Sequence, residues 1–181
     1  FDKRGIAQSL PAAPDERTLT LDQYVTDAVA WGQQLKADPR FGDVYVLGHS
    51  EGALIASLAA PRMDATGVIS IAGTARPVGQ VLREQLQRNH QPPSLLQRSF
   101  ELIHTLEGAR TDDNVPQALQ VVFRPSVQPY LISLLRHNPA KAFAALTMPA
   151  LIIQGTHDIQ VDVNDARSLK AAKPDADLTL I

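Results

Sequence analysis

Val44-Tyr45-Val46-Leu47-Gly48-His49-Ser50-Glu51-Gly52-Ala53-Leu54-Ile55-Ala56-Ser57-Leu58-Ala59-Ala60 is the stretch that decides the fold. Its first residues, Val44 to Leu47, are an unbroken apolar run of the kind carried by a strand buried on both faces of a parallel sheet. Ala53 to Ala60 is apolar at almost every position and stops before Pro61, which predicts a buried helix. Between them Gly48-His49-Ser50-Glu51-Gly52 matches G-x-S-x-G, with a strand running straight in and a helix running straight out. A strand that turns directly into a helix forces its middle residue into a strained conformation. The flanking glycines are expected to remove side chains that would collide in so tight a turn. Ser50 Oγ should therefore stand above the carboxyl edge of the sheet. The helix behind it aims first-turn N–H groups and its positive dipole end at the same spot, so the backbone N–H of Glu51 is the expected oxyanion donor.

The same alternation continues on either side. Leu21, Tyr24, Val25, Ala28, Trp31 and Leu35 recur at helical steps up to Asp38-Pro39. Val68-Ile69-Ser70-Ile71-Ala72 before Gly73 and Ala150-Leu151-Ile152-Ile153-Gln154 before Gly155 read as further buried strands. Asp162 is placed to cap a last helix running to about Lys173, and Leu178 to Ile181 reads as a terminal strand. Strand alternates with helix, so the class is α/β with a parallel sheet. The exception is the stretch from about Thr74 to Thr147. It lacks strand patterning but has helical clusters at Val81-Leu82-Leu86, Leu95-Leu96-Phe100-Ile103-Leu106 and Tyr130-Leu131-Leu134-Leu135, separated by prolines. It is read as a helical insertion between two strands.

With 181 residues, 44% hydrophobic and 20% charged, the chain suits one folded domain rather than a disordered segment. A net charge of −2 gives no basic field for nucleic acid, so no nucleic-acid partner is expected. No apolar run reaches the length of a membrane span, and no signal-peptide pattern opens the chain, which reads as soluble. The absence of cysteine excludes disulfides, thiolate zinc sites and a Cys nucleophile. The start at Phe1 without an initiator Met, and the end at Ile181 within a strand, predict a fragment. Compartment and oligomeric state are left open.

A serine hydroxyl needs a base, itself oriented by an acid. Gly155-Thr156-His157-Asp158 follows the third strand, which puts Asp158 at the same carboxyl edge as Ser50 and makes it the acid candidate. A turn or capping carboxylate is the alternative reading of Asp158, and Asp162 is a rival acid better explained as a helix cap. Of the five histidines, His49 and His157 adjoin the nucleophile and the acid too closely to bridge both. His90, His104 and His137 lie in the helical insertion, so no base is assigned within these residues.

These residues resemble the α/β-hydrolase superfamily, in particular its bacterial serine esterase-like members. Phe1-Asp2-Lys3-Arg4-Gly5 is similar to the F/Y-D-x-R-G strand-end motif, Gly48 to Leu54 to the nucleophile elbow, and Leu151 to Asp158 with Val161 to the strand and loop that carry the acid. The resemblance implies a mostly parallel sheet flanked by helices. A partial core would be formed by residues 1-73 and 148-181, and the helical residues 74-147 would be a cap inserted between two strands. It also implies the chain order Ser, acid, His, which puts the catalytic histidine beyond Ile181. A serine rather than an aspartate at the elbow disfavours dehalogenase or epoxide-hydrolase chemistry. Apolar residues of the insertion are candidates either for an acyl pocket or for the insertion's own core. Arg76, Arg124 and Arg136 are candidates for meeting an acidic substrate, or are simply solvated.

The expectation is a serine hydrolase of carboxylic esters acting on a small-molecule substrate, with no metal or organic cofactor. Ser50 is the nucleophile, Asp158 the orienting acid and the Glu51 N–H half of the oxyanion hole. The alternatives are a peptidase or amidase on the same fold and a non-catalytic binding module.

Overall fold

The strands β1 (Tyr45–His49), β2 (Gly67–Ile71), β3 (Ala150–Gln154) and β4 (Asp177–Leu180) form one sheet in the order β1-β2-β3-β4. In the computed structural model, which describes residues 2–89 and 91–181, all neighbouring strands pair in parallel. Leu47 lies opposite Ile69, Ile69 opposite Leu151 and Ile152 opposite Leu178. Phe1 and His90, both used in the sequence reading, lie outside the described residues. The architecture is an α/β arrangement, a parallel sheet with helices packed against it. Among the described residues no helix is long and apolar enough to cross a membrane.

The chain packs as two compact units. One contains Val25–Pro77 and Asn138–Ile181 and holds the sheet. The other joins the residues up to Tyr24 with Val78–His137. The expected division placed 74-147 together, but residues 74–77 and 138–147 pack with the sheet. Asp165 binds the first of these segments, and α7 (Pro139–Ala144) lies between α2 (Glu51–Ala59) and α8 (Val163–Ala172).

In the sheet unit Val25 and Val29 of α1 (Leu21–Ala37), Ala56 and Ala59 of α2, Phe143 of α7, and Ala166 and Leu169 of α8 form one core with Val68, Ala150 and Ile152. Strand side chains alternate between faces, and these helices cover the row containing Val68, Ser70, Ile152 and Gln154, all buried. The opposite row is only partly covered. Among the described residues β1 is the outermost of the four strands, and Tyr45 and Leu47, on that row, are 58% and 59% exposed. The described helices of this unit pack on the covered face. The buried stripe of α1 likewise runs through Leu21, Val25 and Val29, leaving Trp31 and Leu35 at 46% and 39% exposure. The helix begins at a capping box in which Gln23 N–H donates to Thr20 Oγ1 at 3.3 Å and Thr20 N–H to Gln23 Oε1 at 3.0 Å.

In the other unit α3 (Val78–Arg88), α4 (Pro93–Glu107), α5 (Gln120–Phe123) and α6 (Gln128–Leu135) enclose Leu86, Leu102, Ile103, Leu106, Leu119 and Phe123. These apolar residues make the insertion's own core. Asp2 to Gly5 form no strand; Gly5 sits at φ 79 and donates its N–H to Ser9 O at 3.0 Å.

Candidate active site

β1 ends at His49 and α2 begins at Glu51, leaving Ser50 alone between them. Its backbone sits at φ 54, ψ −119, a region that side chains avoid and that is held only where the surroundings enforce it. Two backbone bonds do so: Ser50 N–H donates to Ile71 O at 2.9 Å, and Ala53 N–H donates to Ser50 O at 3.0 Å. A serine directly before a helix ordinarily caps it, yet the Ser50 hydroxyl accepts no helix amide. The capping explanation for this serine is thereby removed, and the half-buried hydroxyl is left available for chemistry.

The two glycines of the motif are not equivalent. A Cβ on Gly48 would lie 2.0 Å from Gly52 O and 2.6 Å from Ala53 N, so the backbone itself forbids a side chain there. At Gly52 a Cβ would meet nothing within 4 Å, so steric crowding accounts for the first glycine only. Glu51 opens α2, and its amide belongs to the first turn, at the positive end of the helix dipole.

Asp158 stands on the loop after β3, at the carboxyl edge that a parallel sheet shares among its strands. Its Oδ1 accepts from Gln160 N–H at 2.8 Å and Val161 N–H at 3.1 Å, and its Oδ2 accepts a longer contact, 3.4 Å, from Gln154 Nε2. The turn reading of this carboxylate is therefore correct for Oδ1, while Oδ2 keeps most of its accepting capacity. Burial tends to raise the Asp158 carboxyl. The amides of Val161 and Gln160, the Gln154 side chain and the His49 imidazole outweigh burial and hold it below the usual carboxylate value.

Gln154, buried at the end of β3, was not singled out from sequence. Its Nε2 also donates to Val161 O at 3.1 Å and Gly155 O at 3.3 Å, tying the Asp158 loop to itself. The end of β4 reaches the same loop, with Thr156 N–H donating to Ile181 O at 2.7 Å and Ile181 N–H to Gln154 O at 3.0 Å. Asp162 caps α8, accepting from Asn164 N–H at 2.7 Å, as its position before the helix predicted.

Among the described residues no histidine hydrogen-bonds to Ser50 or Asp158. His49 is exposed, His157 Nδ1 lies 3.2 Å from Thr156 Oγ1, and His104 and His137 belong to the helical unit. The arginines considered for an acidic substrate are ion-paired: Arg76 to Asp165 at 2.7 Å, Arg124 to Glu16, and Arg136 to Asp22 at 3.4 Å. No cluster of metal-binding side chains occurs among the described residues.

Comparison with known proteins gives the family and the fold. Residues 3–181 match the family described as the alpha/beta hydrolase family. Esterase EstD of Thermotoga maritima is 34% identical over 152 residues, covering 83% of this chain and 36% of EstD, so the chain spans little more than a third of that relative. Among solved structures, Est1E of Butyrivibrio proteoclasticus with bound ferulic acid superposes with a TM-score of 0.64 at 20% identity, over 99% of this chain and 65% of Est1E. An alpha/beta fold family hydrolase of Bacillus anthracis superposes with a TM-score of 0.62 at 15% identity, over 99% of this chain and 72% of that one. Since the family match runs through both compact units to the last residue, the chain belongs to the alpha/beta hydrolase family.

Proposed function

We propose that the complete protein is a serine hydrolase that cleaves carboxylic esters through an acyl-enzyme on Ser50. The observation that carries this reading is the Ser50 turn: a serine at φ 54 between strand and helix whose hydroxyl caps nothing. Kinship with Esterase EstD supports an ester as the bond cleaved.

In this mechanism Ser50 Oγ attacks the ester carbonyl carbon while its proton passes to a histidine imidazole located beyond Ile181 in the parent protein. The carbonyl oxygen becomes an oxyanion and accepts a hydrogen bond from the Glu51 N–H. Collapse of the tetrahedral intermediate breaks the bond to the alkoxy oxygen, which takes the proton from the imidazolium and leaves as alcohol. Water then repeats the sequence on the acyl-enzyme, releasing the acid and restoring Ser50. Asp158 accepts the second ring N–H of the imidazole through Oδ2, fixing its tautomer and stabilising the cation. The position of the helical residues between β2 and β3 supports reading them as the substrate-selecting cap.

Steady-state kinetics with p-nitrophenyl esters tests the reading. Ser50→Ala in the complete protein should lower kcat/KM by about 10^4 or more, and Asp158→Asn by roughly 10^2 to 10^4. An alanine variant that hydrolyses esters at the parental rate removes Ser50 from the mechanism.

A further inference from the structure

We propose that Asp165 is a positioning residue that holds the Ser50 turn in register with the Asp158 loop, by fastening the segment after β2 to the start of α8. The inference rests on the reading of Ser50 and Asp158 given above.

The Asp165 side chain is completely buried, in the first turn of α8. Its Oδ1 accepts from Ala75 N–H at 2.9 Å, Thr74 Oγ1 at 3.0 Å and Arg76 Nε at 3.0 Å, and its Oδ2 accepts from Arg76 Nη2 at 2.7 Å. A carboxylate removed from water to this degree is costly and is retained only when its accepting capacity is filled, as it is here. Apolar replacement of such pairs elsewhere is often neutral for stability, so the fastening calls for a reason beyond stability.

That reason lies at the two ends of the tether. On one side the fastened residues begin at Thr74, separated from the end of β2 by Ala72 and Gly73, and Ile71 O is the acceptor of the Ser50 N–H. Between Ile71 and Thr74 the chain is pinned. Ala72 is at φ 49, and a Cβ on Gly73 would lie 2.8 Å from Ala53 Cβ, in the first turns of α2 behind Ser50. On the other side, Asp165 N–H donates to Asp162 O at 2.9 Å, and Asp162 caps the helix that follows the Asp158 loop. Asp165 is thus the side chain through which the two loops of the proposed triad share one anchor. Misplacement of a catalytic group by about 1 Å, even when caused far from the chemistry, costs on the order of 100-fold in rate.

The test uses the complete protein with Asp165→Asn, Arg76→Ala and the double variant. It reads kcat and KM for a p-nitrophenyl ester, the rate of fluorophosphonate labelling at Ser50, and the melting temperature, at a temperature where circular dichroism shows each variant folded. Each single variant should lose about tenfold or more in kcat and labelling rate with KM within about twofold, and the double variant should lose no more than the worse single one. A lowered melting temperature with kcat within about twofold of the parent shows a purely structural pair and overturns the proposal, as does a loss confined to KM. If Asp165→Asn does not fold, Arg76→Ala, at a partly exposed arginine, decides by the same criteria. Failure of the parent itself to label at Ser50 overturns the Ser50 reading and this one with it, whereas normal parental labelling with unaffected variants overturns this one alone.

Discussion

A Cβ on Gly48 would lie 2.0 Å from the carbonyl oxygen of Gly52, across the turn that presents Ser50. The obstacle is backbone, so no rotamer change relieves it, and the helix start must move instead. Gly48→Ala should therefore destabilise the 181-residue chain by about 3 kcal/mol, at the upper end for overpacking. Gly52→Ala meets open space within a helix and should leave stability unchanged or raise it by up to about 1 kcal/mol. Thermal melts of the two variants check the contrast, and equal effects would refute this account of the turn.

Strain at Ser50 predicts a second separation, between stability and reactivity. Glycine adopts φ 54 without the steric penalty of a Cβ, so Ser50→Gly should be as stable as the parent or more stable by up to about 2 kcal/mol, even though glycine gains freedom in the unfolded chain. Because the hydroxyl caps nothing, Ser50→Ala should shift stability little. Urea unfolding of the serine, alanine and glycine forms measures both; a marked loss in the alanine form would mean that the hydroxyl has a structural partner.

The buried ion pair of Asp165 makes a pH prediction. Burial tends to raise this carboxyl, and the Arg76 guanidinium, the Ala75 amide and the Thr74 hydroxyl outweigh it and hold it below the usual value. A carboxyl lowered on folding contributes stability that is complete above its unfolded value, about 3.9, and is lost as pH falls through the lower folded one. Asp165→Asn should cost about 3 kcal/mol at neutral pH, with the gap to the parent narrowing only below about pH 4. Denaturant titrations at pH 7, 5 and 3.5 would show it, and a gap that widened on acidification would reverse the sign argued here.

Gln128 is the corresponding anchor of the helical unit. Fully buried, it accepts from Asp112 N–H at 2.8 Å and donates to Asp112 O at 2.7 Å and Phe123 O at 2.9 Å. Gln128→Leu matches the volume but strands these backbone groups, at about 1–3 kcal/mol for each left unpaired. A total loss of about 3 kcal/mol or more in urea unfolding is expected, and a neutral leucine variant would show that the groups find other partners.

How much of this was legible in the sequence follows from distance along the chain. The Ser50 turn was readable because strand, turn and helix are consecutive, and so was the Asp162 cap, which bonds an amide only two residues on. Arg76 and Asp165 are 89 residues apart, and nothing in either neighbourhood marks them as partners. Gln128, beside Pro129, looks like any loop glutamine until the fold buries it. The short helix α7, Pro-Ala-Lys-Ala-Phe-Ala, is too short and too rich in alanine to show an apolar period.

The most direct measurement is mass mapping of the adduct formed when the complete protein reacts with an alkyl fluorophosphonate. The account predicts one modified peptide carrying the mass on Ser50, its disappearance in Ser50→Ala, and slower labelling in Asp158→Asn. An adduct on a different residue, or ester hydrolysis undiminished in Ser50→Ala, would contradict the claim that Ser50 is the nucleophile.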